Sequence, residues 1–245
     1  MGDTKGSEHW IRETINNDKQ KRDLADLIGE GDISWLSPLK KDDSDDSKEY
    51  KEYMLNGTKI QGDLKGVIIS KEKMNKFWPS SQPKWDAIGI IKDTNTIILL
   101  EAKAHTDEGD TRSGARRGKG SKGREKNNTE LIEPSFIDTL GQFNKNLLFK
   151  DKENEWFYKY YQTANRLVFW HKLNKADCKV VLVFLNFVGD KTYKETSATD
   201  WQCYTKSKFN SLLGKAQIEW EKRGEHEIAA LNNIPSIKII NFTVT

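Results

Sequence analysis

Residues 85–105 read WDAIGIIKDTNTIILLEAKAH. Trp85–Lys92 and Thr96–His105 are strand-like runs separated by Asp93-Thr94-Asn95, so the stretch predicts a β-hairpin. Ile97–Leu100 is apolar at consecutive positions, the pattern of a strand buried on both faces. Side chains alternate along a strand, so Glu101 and Lys103 share one face where the apolar run ends. The hairpin register decides whether Asp86 joins them. If Asp93 faces Thr96, Asp86 lies opposite Lys103; a shifted pairing sets Asp86 opposite Glu101. Both registers put the three side chains on one face, because directly opposed residues share a face. The register between those two would turn Asp86 to the other side.

Working outward, residues 8–29 read as one or two helical segments, with Trp10, Ile11, Ile15, Leu24, Leu27 and Ile28 as the apolar stripe and Gly29 and Gly31 as the stop. Residues 31–47 read as loop, with Pro38 and the acidic block DDSDD at 42–46. A short helix is expected over 47–55, and 57–83 is ambiguous, with Val67–Ile69 a candidate strand. After the hairpin, the Gly-rich basic stretch 106–128 cannot build a core and reads as a mobile loop. Residues 130–149 and 153–174 read as helices, Cys178–Phe187 as a buried strand, 205–223 as a helix and Ser236–Val244 as a last strand. The order suggests a single α/β domain over 1–245, helical in its N-terminal part (about 1–56), with a core over about 57–245. Its sheet is expected to be mixed: a hairpin, then strands reached by helical crossovers.

Composition excludes several classes. The 245 residues carry 40 basic and 37 acidic side chains, a net +3, too balanced to name a partner. Eight tryptophans and 36% hydrophobic residues argue against disorder. The longest wholly apolar run, Val180–Leu185, is far short of a membrane span. The N-terminus has no apolar signal stretch, and Cys178 and Cys203 show neither a disulfide framework nor zinc spacing, which fits a cytoplasmic protein. There is no P-loop, no dinucleotide turn and no nucleophile elbow.

Two carboxylates and an ammonium converging at a strand end suit a hard divalent cation with a water-handling group beside it. Acid-x-Lys triplets are common in so charged a chain. Asp46/Lys48, Glu49/Lys51, Asp63/Lys65 and Asp177/Lys179 are decoys, and only Glu101/Lys103 combines a preceding apolar strand with an opposed carboxylate. The bland reading of the same residues is a surface salt bridge.

Pro83, Asp86, Glu101, Ala102 and Lys103 follow the pattern P-x-x-D, then E-x-K on the next strand. This resembles the PD-(D/E)xK nuclease superfamily. The segments SQPKWDAIG, LLEAKAH, YYQTANRL and FLNFVGD resemble a group of poorly characterised bacterial members of it, best over residues 78–190. The resemblance implies a restriction-endonuclease-like fold, a mixed β-sheet core flanked by helices. It also implies Mg²⁺ or Mn²⁺ held by Asp86, Glu101 and the Ala102 carbonyl, with Lys103 as catalytic lysine. Trp85 stands where the family has proline. Members often add an acid from an early helix; Glu49 is the candidate here, with Glu13 and Glu30 as rivals.

Further candidates surround this core. Tyr158, Gln162, Asn165 and Arg166 share a polar helix face, opposite a stripe of Trp156, Phe157, Tyr160, Ala164, Leu167, Val168 and His171. A face like that is ordinarily just solvated. Laid beside the site, Gln162 would touch a metal water or the substrate backbone and Arg166 a phosphate. His105 could contact substrate at the site's edge. Residues 112–126 hold seven basic side chains and one acid, and Arg116, Arg117, Lys119 and Lys122 are the candidate clamp on nucleic-acid phosphates. The expected function is a metal-dependent nuclease, a phosphodiesterase acting on nucleic acid with DNA as first choice and without a membrane partner. A homodimer or a partner subunit is compatible with it. The alternatives are a non-catalytic nucleic-acid-binding or assembly module on the same fold, and a protein-interaction domain whose basic loop meets an acidic partner.

Overall fold

The structure, a computed structural model, describes residues 5–29, 31–39, 55, 71–79, 82–109, 122–192 and 194–244. Helices α1 (Gly6–Asn16) and α2 (Asp18–Ile28) open the chain. The Asn17 side chain accepts the Lys19 and Gln20 N–H groups at the start of α2, and Gly29, left-handed at φ 69°, ends it. Strand β1 (Ser34–Ser37) lies within the span read as loop. Its few residues alternate half-buried and buried, and Trp35 pairs with Gly89. A short helix α3 (Lys71–Asn75) occupies part of the ambiguous stretch. The expected helix 47–55, apart from Leu55, and the candidate strand Val67–Ile69 lie outside the described residues.

The hairpin forms as β2 (Ala87–Ile91) and β3 (Thr96–Lys103). Ile91 pairs with Thr96 and Ala87 with Leu100, which brings Asp86 next to Glu101. The connection is Lys92–Asn95. Asn95 takes the left-handed conformation (φ 51°), which asparagine tolerates well, and so sets this register.

The chain continues through a 3₁₀ turn (Thr106–Gly109), helix α4 (Lys122–Phe143), a second 3₁₀ turn (Phe149–Asp151), a π-helical turn (Glu155–Lys159) and helix α5 (Tyr161–Lys175). Strand β4 (Val180–Val188), helix α6 (Ala198–Leu213) and strands β5 (Glu221–Arg223), β6 (His226–Leu231) and β7 (Ile234–Thr243) complete it. The strands form one sheet of order β1-β2-β3-β4-β7-β6-β5. β3–β4 and β4–β7 are parallel and the other pairings antiparallel, so the expected mixed α/β architecture is present.

Several boundaries differ from the sequence reading. The span 106–128 is not all loop: a 3₁₀ turn fills its start and α4 begins at Lys122. Helix α4 then ends at Phe143, not 149. The expected helix 153–174 is broken at Tyr160, where the Tyr160 N–H reaches back five residues to the Glu155 carbonyl (2.8 Å). Helix α6 starts earlier than 205, because Ser197 and Asp200 form a reciprocal capping box. It also ends at Leu213, so 214–223 is not helical. Strand β6 is an unexpected partner for β7; both residues of its turn, Asn232 and Asn233, have positive φ (50° and 56°).

Alternation along β3 and β4 sends side chains to two cores. Ile97, Leu99, Val180, Leu182 and Phe184 pack with Ile88 and Ile90 beneath residues of α4, α5 and α6, including Phe136, Leu167, Phe169 and Phe209. Ile98, Leu100, Ala102, Val181, Val183 and Leu185 face α1 and α2 through Ile11, Ile15, Leu24 and Ile28. Glu101 and Lys103 have the parity of the first set, so they lie on the α5 side.

Candidate active site

Strand β2 begins at Ala87, opposite Leu100. Beyond that point β3 makes no further ladder pair with β2. The N–H and C=O of a strand residue point to the same side, so both groups of Ala102 need other partners. The Asp86 carboxylate accepts the Ala102 N–H (Oδ2, 2.7 Å), and the Lys103 ammonium donates to the Ala102 carbonyl (3.1 Å). The Lys103 ammonium also donates to Glu101 Oε1. Glu101 Oε2 is held from the other side by Arg166, at 2.8 Å from Nε and 2.6 Å from Nη2. The two oxygens of Glu101 are thereby divided, one to Lys103 and one to Arg166.

These groups are not a surface salt bridge. The Glu101 side chain is 4% exposed and that of Lys103 14%. Burial, reinforced by the neighbouring Glu101 charge, pushes the Asp86 carboxyl up to about 7. Burial works the same way on Glu101, but the Arg166 and Lys103 charges outweigh it and hold that carboxyl below its ordinary value. Burial opposes the charge on Lys103, yet Glu101 and Asp86 raise its pKa, with Glu108 contributing.

Arg166 was expected on a substrate phosphate, along a polar helix face. The structure instead buries it at 3% exposure against protein groups. Besides Glu101 it donates to the Lys84 carbonyl (2.6 Å) and to Asn165 Oδ1 (2.9 Å), and its guanidinium lies 4.4 Å from the Trp85 ring centre. Trp85 is therefore the stacking surface for the arginine that holds Glu101. Gln162 stands one turn before Arg166 on α5 and is half-buried. A crossover helix runs against its parallel strands, so the start of α5 lies over the C-terminal end of β3.

His105 is buried, with Nε2 3.2 Å from Glu108 Oε1. Glu108, in the turn after β3, also accepts the Ala104 N–H (3.1 Å). The sequence reading did not single out Glu108, whose charge acts on Lys103; its one signal is its place just beyond the strand that carries Glu101 and Lys103. Glu13 is exposed on α1, which packs on the opposite sheet face, so it is not the third acid. Glu49, Glu30, Arg116, Arg117 and Lys119 lie outside the described residues. Lys122 is the first residue of α4.

A divalent cation fits this donor set. Asp86, Glu101 and the Ala102 carbonyl are hard oxygen donors, and two of the three already share one cation, the Lys103 ammonium. Among the described residues no three His, Cys, Asp or Glu side chains gather into a metal cage, so a cation here would have two carboxylates and a carbonyl as its protein donors. Among the described residues no helix is long and apolar enough to cross a membrane. No protein-family model, no curated protein and no solved structure matches the chain.

Proposed function

We propose that the protein is a metal-dependent nuclease of the restriction-endonuclease-like kind, hydrolysing phosphodiester bonds of nucleic acid, DNA in the first instance. The observation that supports this reading is that Asp86, Glu101 and Lys103 gather about Ala102 at the end of β3, where Glu101 and the Ala102 carbonyl already hold the Lys103 ammonium. Asp86, Glu101 and the Ala102 carbonyl would hold Mg²⁺ or Mn²⁺. The metal would supply Lewis acidity and a water of lowered pKa. Lys103 orients that water and stabilises charge building on the phosphoryl oxygens. Arg166 is a positioning residue: it fixes Glu101 and, through the Lys84 carbonyl, the segment that presents Asp86. Gln162 and the cations at Arg116, Arg117, Lys119 and Lys122 would hold the polyanion.

The test is cleavage of linear and circular DNA with Mg²⁺, with Mn²⁺ and with EDTA. Activity with either metal and none with EDTA is expected. Lys103→Met should lower it by about 10²–10⁴-fold with DNA binding retained. Full activity in that variant removes Lys103 from the mechanism.

One observation favours a second reading. Glu101 already has two cationic partners, so the cluster is electrostatically satisfied without a metal, as a structural ion-pair network would be. A non-catalytic nucleic-acid-binding module would hold DNA equally well in EDTA and would bind no Mn²⁺ through Asp86.

A further inference from the structure

On the site's face, the row that contains Lys103 continues across the sheet as polar side chains. Lys103 pairs with Asn186 on β4, Asn186 with Asn241 on β7, and Asn241 with Glu227 on β6. Register partners share a face, so the four side chains stand side by side. The rows below them are apolar: Glu101 neighbours Phe184 and Ile239, and Leu99 neighbours Leu182 and Ile237. Asn186 is 4% exposed and Asn241 1%, positions where an aliphatic residue would incur no polar desolvation.

The row has a direction. Glu227 Oε2 accepts from Asn241 Nδ2 (2.9 Å) and from Gln202 Nε2 of α6 (2.9 Å). A carboxylate only accepts, so Asn241 must turn its amide nitrogen to Glu227 and its oxygen to Asn186. Asn186 then donates Nδ2 to Asn241 Oδ1 (2.9 Å). The Asn186 amide is thus locked with its nitrogen toward β7, which turns its oxygen to the β3 side, where Lys103 is its register partner.

That orientation answers a problem at the proposed metal seat. The Lys103 ammonium rests on Glu101 Oε1 and the Ala102 carbonyl, two of the three proposed metal donors. An ammonium and a divalent cation cannot both stand there. Lys103 must leave the position between those two oxygens for a metal to take it, and a buried ammonium drawn away from them needs another acceptor in exchange.

Resting on the nuclease reading above, we infer that Asn186 is a positioning residue whose carbonyl oxygen receives the Lys103 ammonium when Lys103 leaves the metal seat, and that Asn241, Glu227 and Gln202 keep that oxygen turned to it. The relay thereby sets how readily the seat accepts a divalent cation and where Lys103 stands when it does.

The test is Mn²⁺ affinity, measured by titration calorimetry on the full chain without nucleic acid, in a double-mutant cycle. Asn186→Leu should weaken Mn²⁺ binding about tenfold in the wild-type background, the effect of losing one hydrogen bond to a charge. In a Lys103→Met background, with no ammonium to rehouse, the same change should have no effect. Glu227→Met should weaken binding in the same sense, while Glu227→Gln, whose amide oxygen can still accept from Asn241 and Gln202, should restore it. Equal weakening by Asn186→Leu in both backgrounds, or none in either, overturns the inference while leaving the metal site standing. If Asn186→Leu does not fold, the Glu227 pair decides, and equal affinities of its Met and Gln variants overturn the inference. Absence of Mn²⁺ binding in the wild type overturns both the nuclease reading and this inference.

Discussion

Under the proposed function, Arg166 matters to the site without touching substrate. Its three nitrogens reach Glu101, the Lys84 carbonyl and Asn165, and its face stacks on Trp85. Lysine cannot reproduce that fork or that stacking, so Arg166→Lys should behave as a loss of function. Arg166→Met removes one partner of a buried ion pair and should cost about 3–5 kcal/mol, read from urea denaturation. A loss below about 1 kcal/mol would show that Lys103 alone suffices for Glu101. Asp86 makes a separate prediction about pH. Its folded carboxyl is raised to about 7, whereas an unfolded aspartate lies near the ordinary value, 3.8. The folded state therefore binds the proton more tightly. The resulting stabilisation is complete below about pH 4 and is lost as pH rises through 7. Comparing urea midpoints at pH 5 and pH 8 in EDTA, wild type should lose on the order of a few kcal/mol that Asp86→Asn keeps. Parallel pH profiles for the two proteins would contradict this.

Among the elements, the β2–β3 hairpin carries the site and β1 covers it at the sheet edge. Trp35 of β1 crosses Gly89 of β2, and a Cβ built at Gly89 would come within 2.6 Å of Ile33 and 3.1 Å of the Trp35 ring. Glycine is needed there for close approach. Gly89→Ala should destabilise by about 1–3 kcal/mol through overpacking, measured as a lowered thermal midpoint, and Trp35→Leu should relieve part of that loss. A π-helical turn stands immediately before α5. Trp156 in that turn donates Nε1 to the Leu212 carbonyl at the end of α6 (2.9 Å), tying the two crossover helices together. Gln162 and Arg166 follow within the first turns of α5, so their aim depends on that junction.

For the molecule as a whole, the two sheet faces differ in what they bury. On the α1–α2 side an apolar cluster runs from Ile11 to Phe242, whereas the other face turns polar at the C-terminal ends of its central strands. Strand ends of that kind, in open sheets with parallel crossovers, are where ligands bind. The proposed polyanion contact should show in the salt dependence of DNA binding. If four cations among Arg116, Arg117, Lys119 and Lys122 meet phosphates, log K against log salt should fall with a slope of about −3.6 for duplex DNA. Replacing the four with glutamine should bring the slope close to zero, and an unchanged slope would place the phosphate contacts elsewhere.

Much of this was legible in the residues. Alternation and apolar runs mark β2, β3, β4 and β7, because burial on one or both faces leaves a period in the chain. The shared face of Glu101 and Lys103 follows from the same period, and the hairpin limits Asp86 to two useful registers. The turn conformation of Asn95 chose between them, and that is settled only in folded geometry. The capping box at Ser197 and the Asn232-Asn233 turn were written in the sequence and went unread, since apolar periodicity alone does not register them. Arg166 belongs to another category. Nothing local distinguishes an arginine that will meet water from one that will meet Glu101 across 65 positions of chain. The same holds for the Asn186–Asn241–Glu227 row, whose members come together only when β4, β7 and β6 pair side by side. Periodicity is a property of neighbours along the chain, whereas charge compensation and hydrogen-bond direction are properties of neighbours in space.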